Sequence, residues 1–341
     1  MTTPTDDTIV HVLVAMDFSD AIMERIRAVS PCLKVERHFP DVPEKAWADV
    51  EVLYSLRHFP DPAQAPHLRW IQMHTAGIDH TVDAPIMKAQ DVEVTNTSGV
   101  HAVQISEYCL MMMTAFAYRM PLIREYQAKG EWARRPHEVF APETLRGQTL
   151  GIVGYGAIGR ELARIADALG MRVLAIKRDV MQPTDYDTYR LPGTGDAEGE
   201  IPARIYPPEA IGSMARECDF LVLAAPLTER SQAMVNGDVL SGMKKTAVLI
   251  NVARGGLVDE AALISALAAN QLAGAALDVF ETEPLPNSSP LWNLDNVIIS
   301  PHIAGNSSHY HNLTSGVFIE NLTRYLDNRP LLNRVLREHG Y

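Results

Sequence analysis

A chain of 341 residues exceeds what one compact core comfortably holds and predicts two domains. Its 47% hydrophobic and 21% charged residues suit a soluble globular protein, and a net charge of -12 argues against nucleic acid or an anionic membrane surface as partner. No apolar run approaches the roughly 20 residues of a bilayer span, because Ser106, Glu107 and Thr114 interrupt the most apolar stretch, Ile105 to Tyr118. The opening MTTPTDDTIV has neither a basic region nor a signal-type apolar core, so a cytoplasmic location is expected. Cys32, Cys109 and Cys218 are odd in number, far apart and form no CxxC pair, so they read as reduced thiols rather than a disulfide or zinc framework.

In chain order, IVHVLVAM (9–16) reads as a strand, DAIMERIRAV (20–29) as a helix, and VEVLYSL (50–56), LRWIQMHT (68–75) and VEVTNT (92–97) as further strands, with Gly77 and Gly99 closing strand ends. This alternation predicts a small parallel sheet with helices on its faces, a flavodoxin-like α/β domain. Apolar positions from Val103 to Arg119 fit one long, largely buried helix. Its Met111-Met112-Met113 run reads as core or dimer interface rather than a metal or cofactor box.

A second β/α series begins at TLGIVGYGAIGRELARIADALG (149–170) and continues with MRVLAIK (171–177), DFLVLAAP (219–226), AVLINVA (247–253), LAGAALDVF (272–280) and NVIISPH (296–302). Six strands with intervening helices predict a doubly wound Rossmann domain. A final helix over 308–327 is expected to pack back on the first domain. The smaller, catalytic domain is then discontinuous, 1–102 with 306–341, around a dinucleotide-binding domain at 103–305. Residues 181–210 break the rhythm with five prolines and three glycines. They read as a surface insertion or as a functional loop near the adenosine end of a cofactor.

Gly154-Tyr155-Gly156-Ala157-Ile158-Gly159 follows an apolar strand and opens an amphipathic helix, the context a GxGxxG motif requires. Gly154 permits the tight turn, Gly156 lets the backbone approach a pyrophosphate, and Gly159 lets helix and strand pack closely. The pyrophosphate would rest on the helix N-terminus. The next strand end reads Ala175-Ile176-Lys177-Arg178-Asp179. If the strand ends at Ile176, Lys177 and Arg178 meet the ribose and favour NADP(H). If the chain runs on before turning, Asp179 supplies the acid of an NAD(H) site, and a solvated charge run is the third reading. NADP(H) is the expected preference, with NAD(H) possible.

Three later stretches name a reaction. NVARGGLVDE (251–260), LDVFETEP (277–284) and SPHIAG (300–305) place Arg254, Glu283 and His302 beside apolar strands. Arg254 can grip a carboxylate with its planar fork. His302 can protonate a carbonyl oxygen, and Glu283 can keep that imidazole charged and aimed. His101, near the domain crossing, could rival His302 but reads as structural, since no carboxylate motif accompanies it, and His74 reads as a packing or solvent residue.

Together these residues resemble the D-isomer-specific 2-hydroxyacid dehydrogenases, a family that includes glyoxylate/hydroxypyruvate reductases, from about Val50 onward and most densely over 149–170 and 247–305. The resemblance implies hydride transfer between a nicotinamide cofactor and a 2-keto or D-2-hydroxy acid, a cleft between the domains, and a homodimer formed through the cofactor domains. It makes Arg254 the substrate-binding arginine, Glu283 the carboxylate partner and His302 the acid/base. Asp278 is placed at the nicotinamide, and Pro226, Val252, Ala253 and Gly305 beside the cofactor. The Ala76-Gly77-Ile78 turn becomes the substrate loop, whose N–H groups hold the carboxylate. Lys177-Arg178 in place of an acid departs from the commonest family pattern. The alternatives are a dinucleotide-sensing interaction protein without catalysis and a phosphite-type dehydrogenase on the same fold.

Overall fold

The computed structural model describes residues 9–78, 81 and 83–335, so the expectation drawn from the first eight residues lies outside it. The chain divides into two compact units. The smaller takes the described residues of 1–100, 186–191 and 307–341, and the larger those of 101–185 and 192–306. The boundaries expected after Ala102 and Gly305 fall after Val100 and Asn306, and the smaller unit gains a third segment, Tyr186–Leu191.

The smaller unit begins with β1 (Val10–Ala15), α1 (Asp20–Arg27), β2 (Leu33–Arg37), β3 (Val52–Ser55), β4 (Trp70–Met73) and β5 (Glu93–Thr95). Its strands pair in the order β2-β1-β3-β4-β5, every pair parallel. That is the flavodoxin-like order. β3 and β4 are buried on both faces, which is why they read as unbroken apolar runs. β2 escapes such a reading because in LKVER only Val35 is buried, between Lys34 and Glu36.

The larger unit carries α2 (Ala102–Ala117), α3 (Met120–Lys129), α4 (Pro136–Val139), β6 (Thr149–Val153), α5 (Ala157–Ala168), β7 (Arg172–Ile176), β8 (Arg204–Tyr206), α6 (Ile211–Ala215), β9 (Phe220–Leu223), α7 (Gly237–Gly242), β10 (Val248–Asn251), α8 (Glu260–Ala268), β11 (Gly274–Leu277) and β12 (Val297–Ile299). Its strands run parallel in the order β12-β11-β10-β9-β6-β7-β8. The chain reverses direction of growth between β6 and β9, the switch point at which doubly wound sheets bind ligands. The six expected strands are present, and β8 is a seventh, formed inside the 181–210 excursion. The helix expected to reach Arg119 ends at Ala117, and Arg119, with φ of 52°, starts α3. Finally α9 (Tyr310–Leu326) returns to the smaller unit, where Phe318 and Leu322 join Val12, Val14, Tyr54 and Trp70 in one core. Among the described residues no helix is long and apolar enough to cross a membrane.

The excursion is tied down by α5. Arg160 is fully buried, donates to the Asp196 and Pro183 carbonyls, and stands 3.7 Å from the Asp185 carboxylate. Neighbouring Glu161, also buried, accepts from the Gly195 N–H at 2.7 Å and from Arg164. Asp196 then organises its own turn, accepting from the N–H groups of Gly199, Glu200 and Ile201. A buried cation is tolerated only when such acceptors surround it. Replacing Arg160 with methionine removes one side of this cluster and should destabilise the protein by about 3–5 kcal/mol. Protease sites should open within 181–203. An unchanged melting temperature with an intact excursion would show that Arg160 does not hold it.

Candidate active site

Parallel strands deliver all their C-terminal loops to one edge of the sheet, and the expected site residues of the larger unit lie on those loops. After β6 the chain turns sharply at Gly154, whose φ is 103°. A Cβ there would stand 2.7 Å from the Ala224 backbone at the end of β9. Only glycine fits. Gly156 caps α5, and Ala157, Ile158 and Gly159 form its first turn. An added Cβ at Gly156 would meet nothing within 4 Å, so open space lies over the helix N-terminus. Tyr155 is buried, with its hydroxyl 2.6 Å from the Asp196 carboxylate.

β7 ends at Ile176, which places Lys177 and Arg178 directly after the strand. The Lys177 ammonium donates to the Gln182 carbonyl within the excursion. Its pKa is pushed down by partial burial and by the nearby Arg160 cation. Arg178 is exposed. Asp179 accepts from the Met181 N–H at 2.9 Å, so its carboxylate closes a local turn. Beyond β9, the Pro226 carbonyl accepts from the Ser231 hydroxyl at 2.8 Å.

The loop after β10 is folded by Asn251, which is 1% exposed. Its side chain accepts from the Ala253 N–H at 3.1 Å and donates to the Arg254 carbonyl at 2.9 Å. Val252 is thereby buried and Arg254 left half-buried. Gly255 seats this loop on the next one, since a Cβ would lie 1.8 Å from the carbonyl carbon of Phe280.

The loops after β11 and β12 form one hydrogen-bonded body around Asp278, which is 1% exposed. Its Oδ1 accepts from the Ser300 hydroxyl at 2.5 Å and the Ile303 N–H at 2.8 Å, and its Oδ2 from the Ala304 N–H at 2.8 Å. Three donors offset the desolvation of a buried carboxylate. The Ser300 hydroxyl proton is committed to Asp278, so the Tyr108 hydroxyl, 2.6 Å away, donates to Ser300. Burial pushes that phenol up to about 12.

His302 sits within this loop in the left-handed region, with φ of 54°. Its Nδ1 lies 2.8 Å from Glu283 Oε2, while Glu283 Oε1 accepts from the Phe280 N–H at 3.1 Å. The carboxylate is therefore fixed before it fixes the imidazole. His302 Nδ1 is taken, which leaves Nε2 for proton exchange with a ligand. Gly305, at the far end of the loop, accepts from His101 Nδ1 at 3.0 Å.

Arg254, Asp278, Glu283, His302, Gly305 and the glycine turn thus all belong to the larger unit. Ala76, Gly77 and Ile78 follow β4 in the smaller unit, where the Thr75 hydroxyl donates to the Gly77 carbonyl at 2.7 Å and Ile78 is buried. Asn251 and Ser300 open the motifs NVARGG and SPHIAG but carry no chemistry that would single them out, and Tyr108 lies on α2 with no motif around it. Among the described residues no His, Cys, Asp or Glu cluster could hold a metal.

Residues 110–304 match the family model described as D-isomer specific 2-hydroxyacid dehydrogenase, NAD binding domain. A glyoxylate reductase of Korarchaeum cryptofilum is 35% identical over 282 residues, covering 81% of this chain and 80% of that protein. An (S)-sulfolactate dehydrogenase of Chromohalobacter salexigens is 34% identical over 270 residues, 78% of this chain and 80% of its own. Among solved structures, a D-isomer specific 2-hydroxyacid dehydrogenase from Xanthobacter autotrophicus Py2, in complex with NADPH and MES, superposes with a TM-score of 0.78 at 27% identity, covering 98% of this chain and 100% of that one. The chain is a member of the D-isomer specific 2-hydroxyacid dehydrogenase family, and its activity class is that of an NAD(P)-dependent hydroxyacid dehydrogenase.

Proposed function

We propose that the protein reduces a small 2-keto acid to the D-2-hydroxy acid with NADPH, His302 acting as acid/base. The observation that carries this reading is the 2.8 Å contact between His302 Nδ1 and the anchored Glu283 carboxylate. It supports a ring orientation and tautomer in which Nε2 is left for the substrate oxygen. Arg254 is the carboxylate clamp, held on the loop that Asn251 and Gly255 shape. The Ala76-Gly77-Ile78 turn of the smaller unit is the substrate loop that the family resemblance implies.

The nucleotide fits the turn at 154–159, where open space over Gly156 faces the N–H groups of the first turn of α5. Pro226, Val252, Ala253, Asp278 and Gly305 are the further contacts of this reading. A nicotinamide cofactor, when bound there, would supply the hydride for the carbonyl carbon. The carbonyl π pair moves to oxygen, which takes the proton from His302 Nε2, and the product is the hydroxy acid. Assistance of this kind is worth roughly 100- to 10,000-fold. His302→Ala should lower kcat by that factor with glyoxylate, the substrate class named for the archaeal relative, while the Kd for NADPH stays the same. Full turnover in that variant would remove His302 from the chemistry.

The preference for NADPH rests on the end of β7, where cations follow Ile176 and the next carboxylate along the chain, Asp179, is engaged by Met181. Arg178 is exposed and brings a planar fork to a 2′-phosphate, whereas Lys177 is half-buried and brings a point charge, so Arg178 is the better candidate. Arg178→Ala should weaken NADPH about tenfold or more and leave NADH nearly unchanged, a loss typical of a charge-assisted contact. Lys177→Ala should do less. A wild-type kcat/KM clearly higher with NADH would overturn the preference.

A homodimer through the larger unit accords with its exposed apolar side chains. Met112 and Met113 face the core, but Met111, Tyr118, Met120 and Trp132 are outward, Trp132 at 90%. Exposed apolar side chains of this size are what a dimer interface would cover. Sedimentation should give twice the chain mass for the wild type and a shift toward monomer for Trp132→Glu. A wild type that sediments as a monomer would refute it.

A further inference from the structure

The loop Ser300–Gly305 bears a load that Asp278 alone does not carry. It holds a histidine at positive φ, a conformation that costs a non-glycine residue on the order of 1–2 kcal/mol. Such a conformation persists only where the surroundings over-determine it. Asp278 binds the loop at Ser300, Ile303 and Ala304, and the Ser300 N–H donates to the Leu277 carbonyl at 3.0 Å. The remaining end, the Gly305 carbonyl, is met by His101, which caps the N-terminus of α2.

We infer that His101 is a positioning residue for the reduction: its Nδ1–H, bonded to the Gly305 carbonyl, fixes the C-terminal end of the loop that carries His302. The inference rests on the proposed role of His302. A carbonyl only accepts, so the 3.0 Å contact requires the proton on Nδ1 and thereby sets the His101 tautomer. The anchor is stiff. His101 and Tyr108 are seven residues, two helical turns, apart on α2, and they bind the loop at its two ends, Gly305 and Ser300. Between them and beyond, Ile105, Cys109 and Met112 pack into the same core as Ala304 of the loop and Val252 of the Arg254 loop. One helix therefore references the acid/base loop to the carboxylate-clamp loop.

The surroundings of His101 agree with this role. Burial, the largest influence, pushes its pKa down, the Gly305 carbonyl opposes this, and the Arg254 cation lowers it further. At neutral pH the ring can thus donate through Nδ1 without setting a second positive charge beside Arg254.

The test uses the full chain with NADPH and glyoxylate. Asparagine can place an N–H near the position of His101 Nδ1, whereas alanine cannot donate. Misplacement of a reacting group by about 1 Å can cost up to 100-fold. His101→Ala should therefore lower kcat about 10- to 100-fold, a loss exceeding any in NADPH affinity, and His101→Asn should restore most of that loss. If His101→Ala does not fold, His101→Asp replaces it. Aspartate is nearly isosteric with asparagine and favourable at a helix N-terminus, but its carboxylate only accepts. Equal kcat in the donor and non-donor variants, or a loss confined to melting temperature or KM, would overturn the inference. If His302→Ala itself remains active, the reading of the site fails first. An inactive His302→Ala alongside a fully active His101→Ala refutes the positioning role alone.

Discussion

In a sheet whose strands all run the same way, every strand ends on the same edge, and the chemistry of this protein is built from that constraint. The loops after β6, β9, β10, β11 and β12 come from segments far apart in sequence, yet parallel pairing sets their starting points side by side. Gly154 brings the first of them against the end of β9, and Gly255 seats the Arg254 loop on Phe280. A side chain at either position would force the loops apart. The site is thus a consequence of register and of two missing Cβ atoms as much as of its charged residues.

Within that frame the buried Asp278 carboxylate does for the His302 loop what a helix cap does for a helix. Three donors converge on it, two of them backbone N–H groups of the loop, so the same bonds that make its burial tolerable also give the loop its shape. Glu283 follows the same logic on a smaller scale, held by the Phe280 N–H before it meets His302. Both carboxylates shape the loop that bears His302, Asp278 through its backbone and Glu283 through the imidazole. The family resemblance sets Asp278 at the nicotinamide, and that contact would be a further load on a group already serving the loop.

The excursion between β7 and β8 shows a second use of buried charge. Arg160 and Glu161 stand on α5 immediately after the glycine turn, and the segment they hold supplies the carbonyl that engages Lys177. Composition in this stretch is rich in proline and glycine, which signals irregular backbone but says nothing about what it packs against. The ordering comes instead from a cation and an anion on the neighbouring helix, whose acceptor and donor partners are mostly backbone groups. Backbone groups leave no trace in a sequence.

The sequence by itself determined the two α/β sheets, the glycine turn, and the residue types at Arg254, Glu283 and His302, because buried parallel strands read as apolar runs and these motifs are contiguous. It did not disclose β2 or β8, since LKVER and RIY each bury a single residue, too little to leave an apolar signature. Nor did it show the third segment of the smaller unit. His101, which reads as structural, donates to the loop of His302, and Tyr108 and Ser300 complete a relay to Asp278. These contacts join residues about 190 to 200 positions apart. Only the folding of α2 against the sheet brings them within hydrogen-bond distance, because a local pattern records which face of a helix is buried and not which distant loop it meets.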